Sequence, residues 1–373
     1  MGISKGKANL SLPLEIMIKI CTIVGARPQF VKAAALSNEL KSYSNIIEII
    51  VHTGQHYDKN MSKVFFNQLK IPEPNYHLKS GGKSHGAMTG YQLIEIEKIL
   101  ISEKPDWVIV YGDTNSTLAG AIAASKLKIP IVHIEAGLRS FNTKMPEEIN
   151  RILTDRLSKI LFCPSVSAVN NLKSEGFEKY GIQIEMVGDI MFDVFKLVSS
   201  TIEETIYEGK PYVICTLHRA ENIDDEQRLK KIFEGLNSIA KNISIRIPLH
   251  PRTKKKLQTL DLKLNPNIII EKPLPYIDFI SAMFNCEVII SDSGGIQKEA
   301  YFSEKNCIIL RDETEWIELI NNKNNILVGC DTNLIIQAFQ NRKSLNQDFS
   351  KTFYGKSNTA NLIIEKIINA EIK

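Results

Sequence analysis

The chain has 373 residues, of which 43% are hydrophobic and 24% are charged, as in a globular protein of about two domains. Its 46 basic and 42 acidic side chains leave a formal net charge of only +4, so the composition gives no strong case for a nucleic-acid-binding protein. No apolar run has the length of a membrane span, and Pro13 and Glu15 interrupt any signal-peptide core, so we expect a cytoplasmic protein without membrane contact.

Short apolar runs rich in β-branched residues alternate with stretches of helical periodicity in the first half of the chain. We predict strands at residues 18–24, 47–52, 107–110, 131–134, 160–163 and 184–187. Strands that alternate with helices are typical of an α/β fold with a parallel, doubly wound sheet. The pattern therefore predicts a Rossmann-like domain, preceded by a loose N-terminal extension at residues 1–17.

The same pattern restarts after a polar break near residue 205. We predict further strands at residues 212–217, 243–249, 268–270, 288–290, 307–310 and 326–328. The first domain then covers residues 18–204, a second Rossmann-like domain covers 205–355, and a C-terminal helix lies within 356–373. The apolar positions of that helix share one face and need a surface to cover, for which the first domain is the candidate.

The cysteines stand mostly in or beside these apolar runs. None belongs to a C-x-x-C pair or to a cluster of His and Cys residues with metal-ligand spacing. This distribution predicts buried free thiols in a reducing compartment and provides no metal site. The residues are Cys21, Cys163, Cys215, Cys286, Cys307 and Cys330.

A glycine motif follows the predicted strand at 288–290 and leads into a helical segment. Ser293, Gly294 and Gly295 would place backbone N–H groups at the start of that helix, where unsatisfied donors and the helix dipole attract a diphosphate. Glu299 follows on the same helix, where a carboxylate can accept hydrogen bonds from ribose hydroxyls. The alternative is an ordinary glycine turn with a polar cap.

Charged side chains also stand where predicted strands of the first half end. Arg27 and Lys32 follow the first strand, Asp113 and Glu135 follow two later strands, and Glu147 opens a helix. Ligands of doubly wound folds bind at the carboxyl ends of the strands, so these side chains are candidates to line one crevice. The alternatives are a solvated loop charge for Arg27 and helix-dipole partners for the acidic residues.

Two histidines occupy equivalent places in the second half. His218 follows the first strand of that half, and His250 follows the second. A histidine at such a position can donate to a phosphate oxygen or exchange a proton near neutral pH. The second half of the chain thus supplies groups that bind anions, and the first half supplies carboxylates. A cleft between them suits a nucleoside-diphosphate sugar, with the diphosphate among hydrogen-bond donors and the sugar among carboxylates.

Six motifs in register resemble those of the non-hydrolysing UDP-N-acetylglucosamine 2-epimerases. They are G-A-R-P at 25–28, G-D-T at 112–114, H-I-E-A-G-L-R at 133–139, P-E-E-I-N-R at 146–151, H-R-A-E-N at 218–222 and D-S-G-G-I-Q at 292–297. The resemblance covers the chain from about Ile18 to the C-terminal helix. It implies two Rossmann-like domains of the glycosyltransferase B type with an inter-domain cleft, a homodimer, and a role in supplying a surface polysaccharide precursor.

The reaction implied by the resemblance is inversion at carbon 2 of a UDP-linked 2-acetamido sugar. UDP is eliminated to leave a 2-acetamidoglucal and is then added back, and neither a nicotinamide nor a metal is required. The residues that match the catalytic group are Asp113, Glu135, Glu147 and His218. The residues that match the UDP-binding group are Arg27, His250, Ser293, Gly294, Gly295 and Glu299, with Lys32 and Arg139 in support.

Two departures from the family pattern leave the substrate open. Trp316 stands in a late loop where many members have Arg-Pro-Glu, and this form resembles a branch that includes epimerases of UDP-2,3-diacetamido-2,3-dideoxyglucuronate. Gln55, His56 and Arg219 match candidate positions of an allosteric substrate site, but the segment at 81–86 departs from the usual pattern. UDP-N-acetylglucosamine and the diacetamido-uronate therefore both remain, as do a hydrolysing epimerase, a retaining glycosyltransferase and a non-catalytic sensor.

Overall fold

The protein is described by a computed structural model that covers residues 17–55, 73–202, 209–249, 251–260 and 262–370. For Arg27, Pro251 and Arg252 only the backbone is described. Two parallel β-sheets with helices packed on them account for most of these residues. The predicted α/β fold class is therefore confirmed.

The first sheet has seven parallel strands in the order β3-β2-β1-β4-β5-β6-β7. The strands are β1 Ile18–Val24, β2 Ile46–His52, β3 Tyr76–His77, β4 Trp107–Tyr111, β5 Ile131–Ile134, β6 Ile160–Cys163 and β7 Gln183–Met186. The helices around it are α1 Arg27–Leu40, α2 His85–Glu103, α3 Asn115–Lys126, α4 Pro146–Leu157, α5 Val166–Ser174 and α6 Ile190–Ser199. We call this part of the chain the first unit.

The second sheet has six parallel strands in the order β10-β9-β8-β11-β12-β13. The strands are β8 Tyr212–Thr216, β9 Ser244–Pro248, β10 Ile268–Glu271, β11 Val288–Ser291, β12 Cys307–Ile309 and β13 Asn325–Leu327. The helices that follow are α7 Ala220–Ile223, α8 Glu226–Ile239, α9 Pro251–Thr259, α10 Tyr276–Asn285, α11 Gly294–Phe302, α12 Ile317–Asn321 and α13 Thr332–Gln340. We call this part the second unit.

The central strands form where the sequence has unbroken apolar runs. All five residues of β4 and all four of β5 are buried, because helices cover both faces of the sheet. The order of strands reverses beside β1 in the first sheet and beside β8 in the second. At such a reversal the loops diverge to opposite faces and leave a crevice at the carboxyl edge. Both crevices lie at the positions where the sequence places charged residues.

The last helix, α14 Thr359–Ile368, packs against α1 and α6 of the first unit. Its apolar face is buried through Ile363, Ile364 and Ile367. The backbone N–H of Ala360 donates to Asp193 Oδ2 at 2.8 Å, which fixes the start of the helix on α6. The chain thus returns from the second unit to the first.

The cysteines have the environment that their sequence context predicts. All six are free, and all except Cys330 are buried. Among the described residues, none of the helices combines the length and the apolar composition that crossing a bilayer requires.

Candidate active site

Glu135 lies directly after β5 with its carboxylate held between two ammonium groups. Lys32 Nζ of α1 donates to Oε2, and Lys298 Nζ of α11 lies 3.0 Å from Oε1. Burial alone would raise the pKa of this carboxyl group, but the two lysines hold it well below its ordinary value. Glu135 is therefore an ionised carboxylate at neutral pH.

The backbone at Glu135 supports this placement. Glu135 has φ of 69°, in the left-handed region that non-glycine residues adopt only when the surroundings compensate the cost. Its N–H donates to the carbonyl of Phe162 at 3.1 Å, so the turn is fixed to the neighbouring strand β6. The strained turn directs the carboxylate towards the two lysines.

Asp113 follows β4 and is tied to helix α4. Arg151 Nη2 donates to the Asp113 carboxylate, and Asn150 Nδ2 donates to its main-chain carbonyl at 2.9 Å. The Asp113 side chain remains 32% exposed, whereas that of Arg151 is 5% exposed. The carboxylate is therefore positioned by a buried guanidinium and still accessible from the cleft.

Glu147 and Glu148 begin α4 and have different surroundings. Glu148 is fully buried, accepts hydrogen bonds from the N–H groups of Ser140 and Phe141 at 2.9 Å each, and pairs with Arg151. Glu147 is partly exposed, and its carboxylate has no hydrogen-bond or ion-pair partner among the described residues. Glu147 and Arg151 are four residues apart and share one helix face. Glu147 is thus on the Asp113 side of α4 and available to a ligand.

His218 stands at the end of β8 and is supported by Asp292. The N–H groups of His218 and Arg219 both donate to the Asp292 carboxylate, and His218 Nδ1 lies 3.0 Å from Oδ1. Burial would raise the pKa of Asp292, yet these hydrogen bonds and the imidazole hold it below its ordinary value. Because the His218 side chain is 55% exposed, its other nitrogen is accessible from the cleft.

The glycine motif forms the start of α11. Ser293 is the N-cap, with its Oγ 3.5 Å from the N–H of Ile296. A Cβ on Gly294 would lie 3.8 Å from Arg219 Nη2 and 3.7 Å from Arg311 Nη1, whereas a Cβ on Gly295 would meet nothing within 4 Å. Open backbone at a helix N-terminus beside two guanidinium groups is a suitable place for phosphate oxygens.

Glu299 lies on the buried face of α11. Its Oε1 accepts a hydrogen bond from the hydroxyl of Tyr276 at 3.0 Å. The side chain therefore has a fixed orientation one turn beyond the two glycines.

Arg139 is buried inside the first unit. Its guanidinium is 1% exposed, and it donates to Asp155 Oδ2 at 2.7 Å and to Glu175 Oε1 at 2.6 Å. Asp155 also contacts His133 Nδ1 at 2.7 Å. These partners occupy the guanidinium inside the first unit, so Arg139 holds the loop after β5 in place. Its predicted contact with substrate stays a prediction.

The remaining predicted positions are described only in part. Arg27 begins α1, and its side chain is outside the described atoms. His56 and His250 lie outside the described residues. The side-chain carbonyl of Gln55 accepts hydrogen bonds from Ser116 N at 3.1 Å and Ser116 Oγ at 2.8 Å, which joins the loop after β2 to the start of α3.

Several charged residues connect the two units, and no sequence motif predicts a role for them. Lys298 of the second unit contacts Glu135 of the first, and Arg151 Nη2 of the first lies 3.7 Å from Glu315 Oε1 of the second. Asn142 Nδ2 adds a hydrogen bond of 2.8 Å to Glu313. A charged residue on the buried face of a helix, such as Lys298 beside Glu299, is the sequence signal that could have indicated a buried partner.

The assembled site has two chemically distinct halves. The first unit supplies carboxylates that can exchange protons, and the second supplies backbone N–H groups, guanidinium groups and an imidazole that can stabilise a leaving phosphate. In the described ranges, no group of three His, Cys, Asp or Glu side chains is arranged to hold a metal ion.

Comparison with known proteins identifies relatives along nearly the whole chain. The family model for UDP-N-acetylglucosamine 2-epimerase matches residues 38–368. A UDP-2,3-diacetamido-2,3-dideoxy-D-glucuronate 2-epimerase from Pseudomonas aeruginosa is 48% identical over 351 residues, covering 93% of this chain and 99% of the relative. A UDP-N-acetylglucosamine 2-epimerase from Methanocaldococcus jannaschii is 43% identical over 357 residues, covering 91% of this chain and 96% of the relative.

A solved structure is also similar over the full fold. The crystal structure of the Methanocaldococcus jannaschii UDP-GlcNAc 2-epimerase in complex with UDP-GlcNAc and UDP matches with a TM-score of 0.88 and 41% identity. The match covers 95% of this chain and 100% of that chain. The similarity thus extends across both sheets and the cleft between them.

Proposed function

This chain belongs to the UDP-N-acetylglucosamine 2-epimerase family and is an epimerase, and we propose that it inverts carbon 2 of a UDP-linked 2-acetamido sugar by elimination and re-addition of UDP. The observation that carries the proposal is Glu135, a largely buried carboxylate kept ionised by Lys32 and by Lys298 of α11, the helix whose start is the proposed diphosphate site. A base and a leaving-group site must face the same sugar ring for an elimination across carbons 1 and 2.

The chemistry explains why both halves are needed. Carbon 2 is not next to a carbonyl group, so its proton becomes acidic only as the bond from carbon 1 to oxygen breaks. The electron pair of the C–H bond forms the double bond between carbons 1 and 2, and the oxygen leaves with UDP. Re-addition reverses these steps with the proton delivered to the opposite face. Stabilisation of the departing diphosphate is therefore as important as proton removal.

We assign roles to the residues by their position. Asp113, Glu135 and Glu147 supply the carboxylates that exchange the proton at carbon 2, with Lys32 holding Glu135. His218 acts beside the leaving oxygen. The residues that bind UDP are Arg27, His250, Ser293, Gly294, Gly295 and Glu299, with Arg219 beside the glycines.

Within this substrate class we favour UDP-2,3-diacetamido-2,3-dideoxyglucuronate, the sugar for which the Pseudomonas relative is named. Such a sugar carries an additional carboxylate, which is costly to enclose unless cations meet it. Lys79, Lys83 and His85 lie in the loop before and at the start of α2. Asn115 Nδ2 lies 3.1 Å from His85 Nδ1, and Asn115 Oδ1 accepts from Asn150 at 3.3 Å.

These contacts connect His85 to Asp113, because Asn150 also donates to the Asp113 carbonyl. We propose that Lys79 and Lys83 of the same loop supply the cations that the carboxylate of a uronate requires. UDP-N-acetylglucosamine is the second candidate, favoured by the Methanocaldococcus relative and its complex with that sugar.

The experiment is to incubate the protein with each UDP-sugar in deuterated water and to follow carbon 2 by NMR. We expect deuterium at carbon 2 of the epimerised product, with UDP remaining attached at equilibrium. Epimerised product without deuterium would exclude elimination. Free UDP that rises in step with product would instead indicate a hydrolysing enzyme, and transfer of the sugar to an acceptor would indicate a glycosyltransferase.

Comparison of kcat/KM for the two UDP-sugars tests which of them is the substrate. We expect a preference for the uronate that falls in the Lys83→Ala variant. Lys159→Ala is the matched control, since this exposed lysine precedes β6 at the opposite edge of the same sheet. A preference for the neutral sugar that is the same in both variants would establish UDP-N-acetylglucosamine as the substrate.

We further propose a homodimer that works in the cytoplasm and supplies a surface polysaccharide precursor. The free cysteines support a reducing compartment, because five of the six are buried without disulfide partners. Sedimentation equilibrium tests the dimer, and a mass of one chain at micromolar concentration would contradict it.

A further inference from the structure

We propose that Lys298 is a positioning residue for Glu135, supplied across the cleft by the helix whose start holds the diphosphate. The inference rests on the proposed function of Glu135 as a proton-exchanging carboxylate. In this inference, a residue of the second unit orients a proton-exchanging carboxylate of the first unit.

The contacts of Lys298 define its position closely. Its ammonium group lies 3.0 Å from Glu135 Oε1, donates to Asp189 Oδ2 at the N-cap of α6, and sits 3.9 Å from the ring centroid of Trp316. The side chain is 2% exposed. A cation enclosed by two carboxylates and an aromatic face has little freedom to move, so it fixes whatever it binds.

The Glu135 carboxylate is held at both oxygens from opposite sides of the cleft. Lys32 contacts Oε2 from α1, and Lys298 contacts Oε1 from α11. Contacts at both oxygens set the plane of the carboxylate and therefore the direction of its lone pairs. A single lysine would leave rotation about the last side-chain bond less restricted.

Glu135, Asp189, Lys32 and Lys298 form a charge cluster whose net charge is zero only while Glu135 is ionised. Lys32 and Lys298 contribute two positive charges, and Glu135 and Asp189 contribute two negative ones. Protonation of Glu135 would leave one uncompensated positive charge among buried groups, which is unfavourable. Asp193 of α6 is a further acidic group near Asp189, and burial raises its pKa.

Lys298 also connects the leaving-group site with the base. It lies one helical turn after Gly294, at whose N–H the diphosphate would bind. The cation reaches Glu135 only when α11 is in place against the first unit. The base is therefore completed by the same helix that receives UDP.

The variants that test the inference remove the cation without leaving its second carboxylate unpaired. Lys298→Met alone leaves Asp189 buried without a counter-charge and could fail to fold. The double variant Lys298→Met/Asp189→Asn removes one charge of each sign, and asparagine remains a good N-cap for α6. The single variant Asp189→Asn, which keeps the contact between Lys298 and Glu135, is the parent for comparison.

We expect the acid limb of the kcat/KM profile to move upward by about 1 to 3 pH units in the double variant relative to the Asp189→Asn parent, because Glu135 loses one of its two cations. UDP affinity should differ by less than about threefold between the two, since no contact to the diphosphate is changed. Superimposable pH profiles would overturn the inference. An equal loss of kcat at every pH would assign Lys298 a purely structural role and would also overturn it.

A second measurement separates this inference from the proposed function. The carboxyl carbon of Glu135 can be titrated by NMR in protein labelled with ¹³C at glutamate carboxyl groups, with the signal assigned by its absence in Glu135→Gln. A midpoint at higher pH in the double variant supports the inference even if the wild-type protein epimerises no UDP-sugar. An unchanged midpoint refutes it even if epimerisation is observed.

Discussion

Arg151 donates a hydrogen bond to the carboxylate of Asp113, although the two residues are 38 positions apart in the chain. The guanidinium is buried, and the carboxylate is partly exposed to the cleft. Arg151 is also paired with Glu148, so its position does not depend on Asp113 alone. The negative charge of Asp113 can therefore be removed while Arg151 keeps its pair with Glu148.

We expect Asp113→Asn to lower kcat by about 100-fold or more, the usual contribution of general acid–base catalysis. The asparagine carbonyl can still accept from Arg151, so the free energy of unfolding should change by about 1 kcal/mol or less. Steady-state kinetics and urea unfolding of the same preparation measure the two effects. Loss of folding together with activity would show that Asp113 is structural.

Much of the fold could be predicted from the sequence because buried parallel strands are continuous apolar runs. The segment 131–134 was predicted with the observed bounds of β5, whereas β3 was missed because its two residues, Tyr76–His77, are too short to give a pattern. The positions of the candidate residues Asp113, Glu135 and His218 could be predicted for a related reason, since each lies within two residues of the end of a strand.

The partners of those residues could not be predicted in the same way. Lys298 and Glu135 are 163 positions apart, and no local pattern indicates that they meet. The contact of Arg139 with Asp155 could not be predicted either, because a loop sequence does not show whether a guanidinium turns outward or towards a buried carboxylate. The pairing of Lys298 with Glu135 depends on how the two units pack together, and that of Arg139 with Asp155 depends on how the loop after β5 packs on α4.

Glu135→Gln should lower both activity and stability. The variant removes the carboxylate that Lys32 and Lys298 share, and breaking a buried charge pair costs about 3 to 5 kcal/mol. The double variant Glu135→Gln/Lys32→Met, which keeps the pair between Lys298 and Asp189, should recover part of the unfolding free energy but none of the activity. Chemical denaturation and turnover measure the two separately, and a single variant with wild-type stability would contradict the buried charge cluster.

Arg139→Met should destabilise the protein without weakening UDP binding. The substitution removes the guanidinium that pairs with buried Asp155, at a cost of about 3 to 5 kcal/mol in unfolding free energy. Calorimetric titration with UDP at a temperature where the variant is folded should give a wild-type affinity. Reduced affinity with unchanged stability would instead support a contact between Arg139 and the ligand.

Stability should fall in acid because several buried carboxyl groups have depressed pKa values in the folded protein. Burial would raise the pKa of Glu315, but Arg311 and Arg151 lower it to about 2. A depressed pKa contributes stability above the unfolded value of about 4.3, and this contribution is lost as the pH falls through the folded value. Each such group changes the unfolding free energy by up to about 1.4 kcal/mol per pH unit in that window.

The Glu315→Gln variant tests this dependence. It cannot bind the additional proton on unfolding, so its unfolding free energy should fall less steeply than that of the wild-type protein between pH 4.3 and about 2. Urea denaturation at a series of pH values gives both slopes. Identical slopes would mean that Glu315 is not ionised beside the arginines in the folded protein.

Gly295→Ala separates the stability of α11 from its proposed use as a diphosphate site. An alanine Cβ would meet nothing within 4 Å, and the φ angle of Gly295 is not in the left-handed region. Alanine is a better helix residue than glycine by about 0.5 to 1 kcal/mol, so the variant should be at least as stable as the wild-type protein. The same methyl group would occupy space at the helix start that phosphate oxygens need, and UDP affinity should fall at least tenfold. Thermal unfolding without ligand and calorimetric titration with UDP measure these opposite effects.

Gly86→Ala is the matched control, because a Cβ there also meets nothing within 4 Å but lies in the first turn of α2. If Gly295→Ala bound UDP as tightly as the wild-type protein, the diphosphate could not rest on the start of α11.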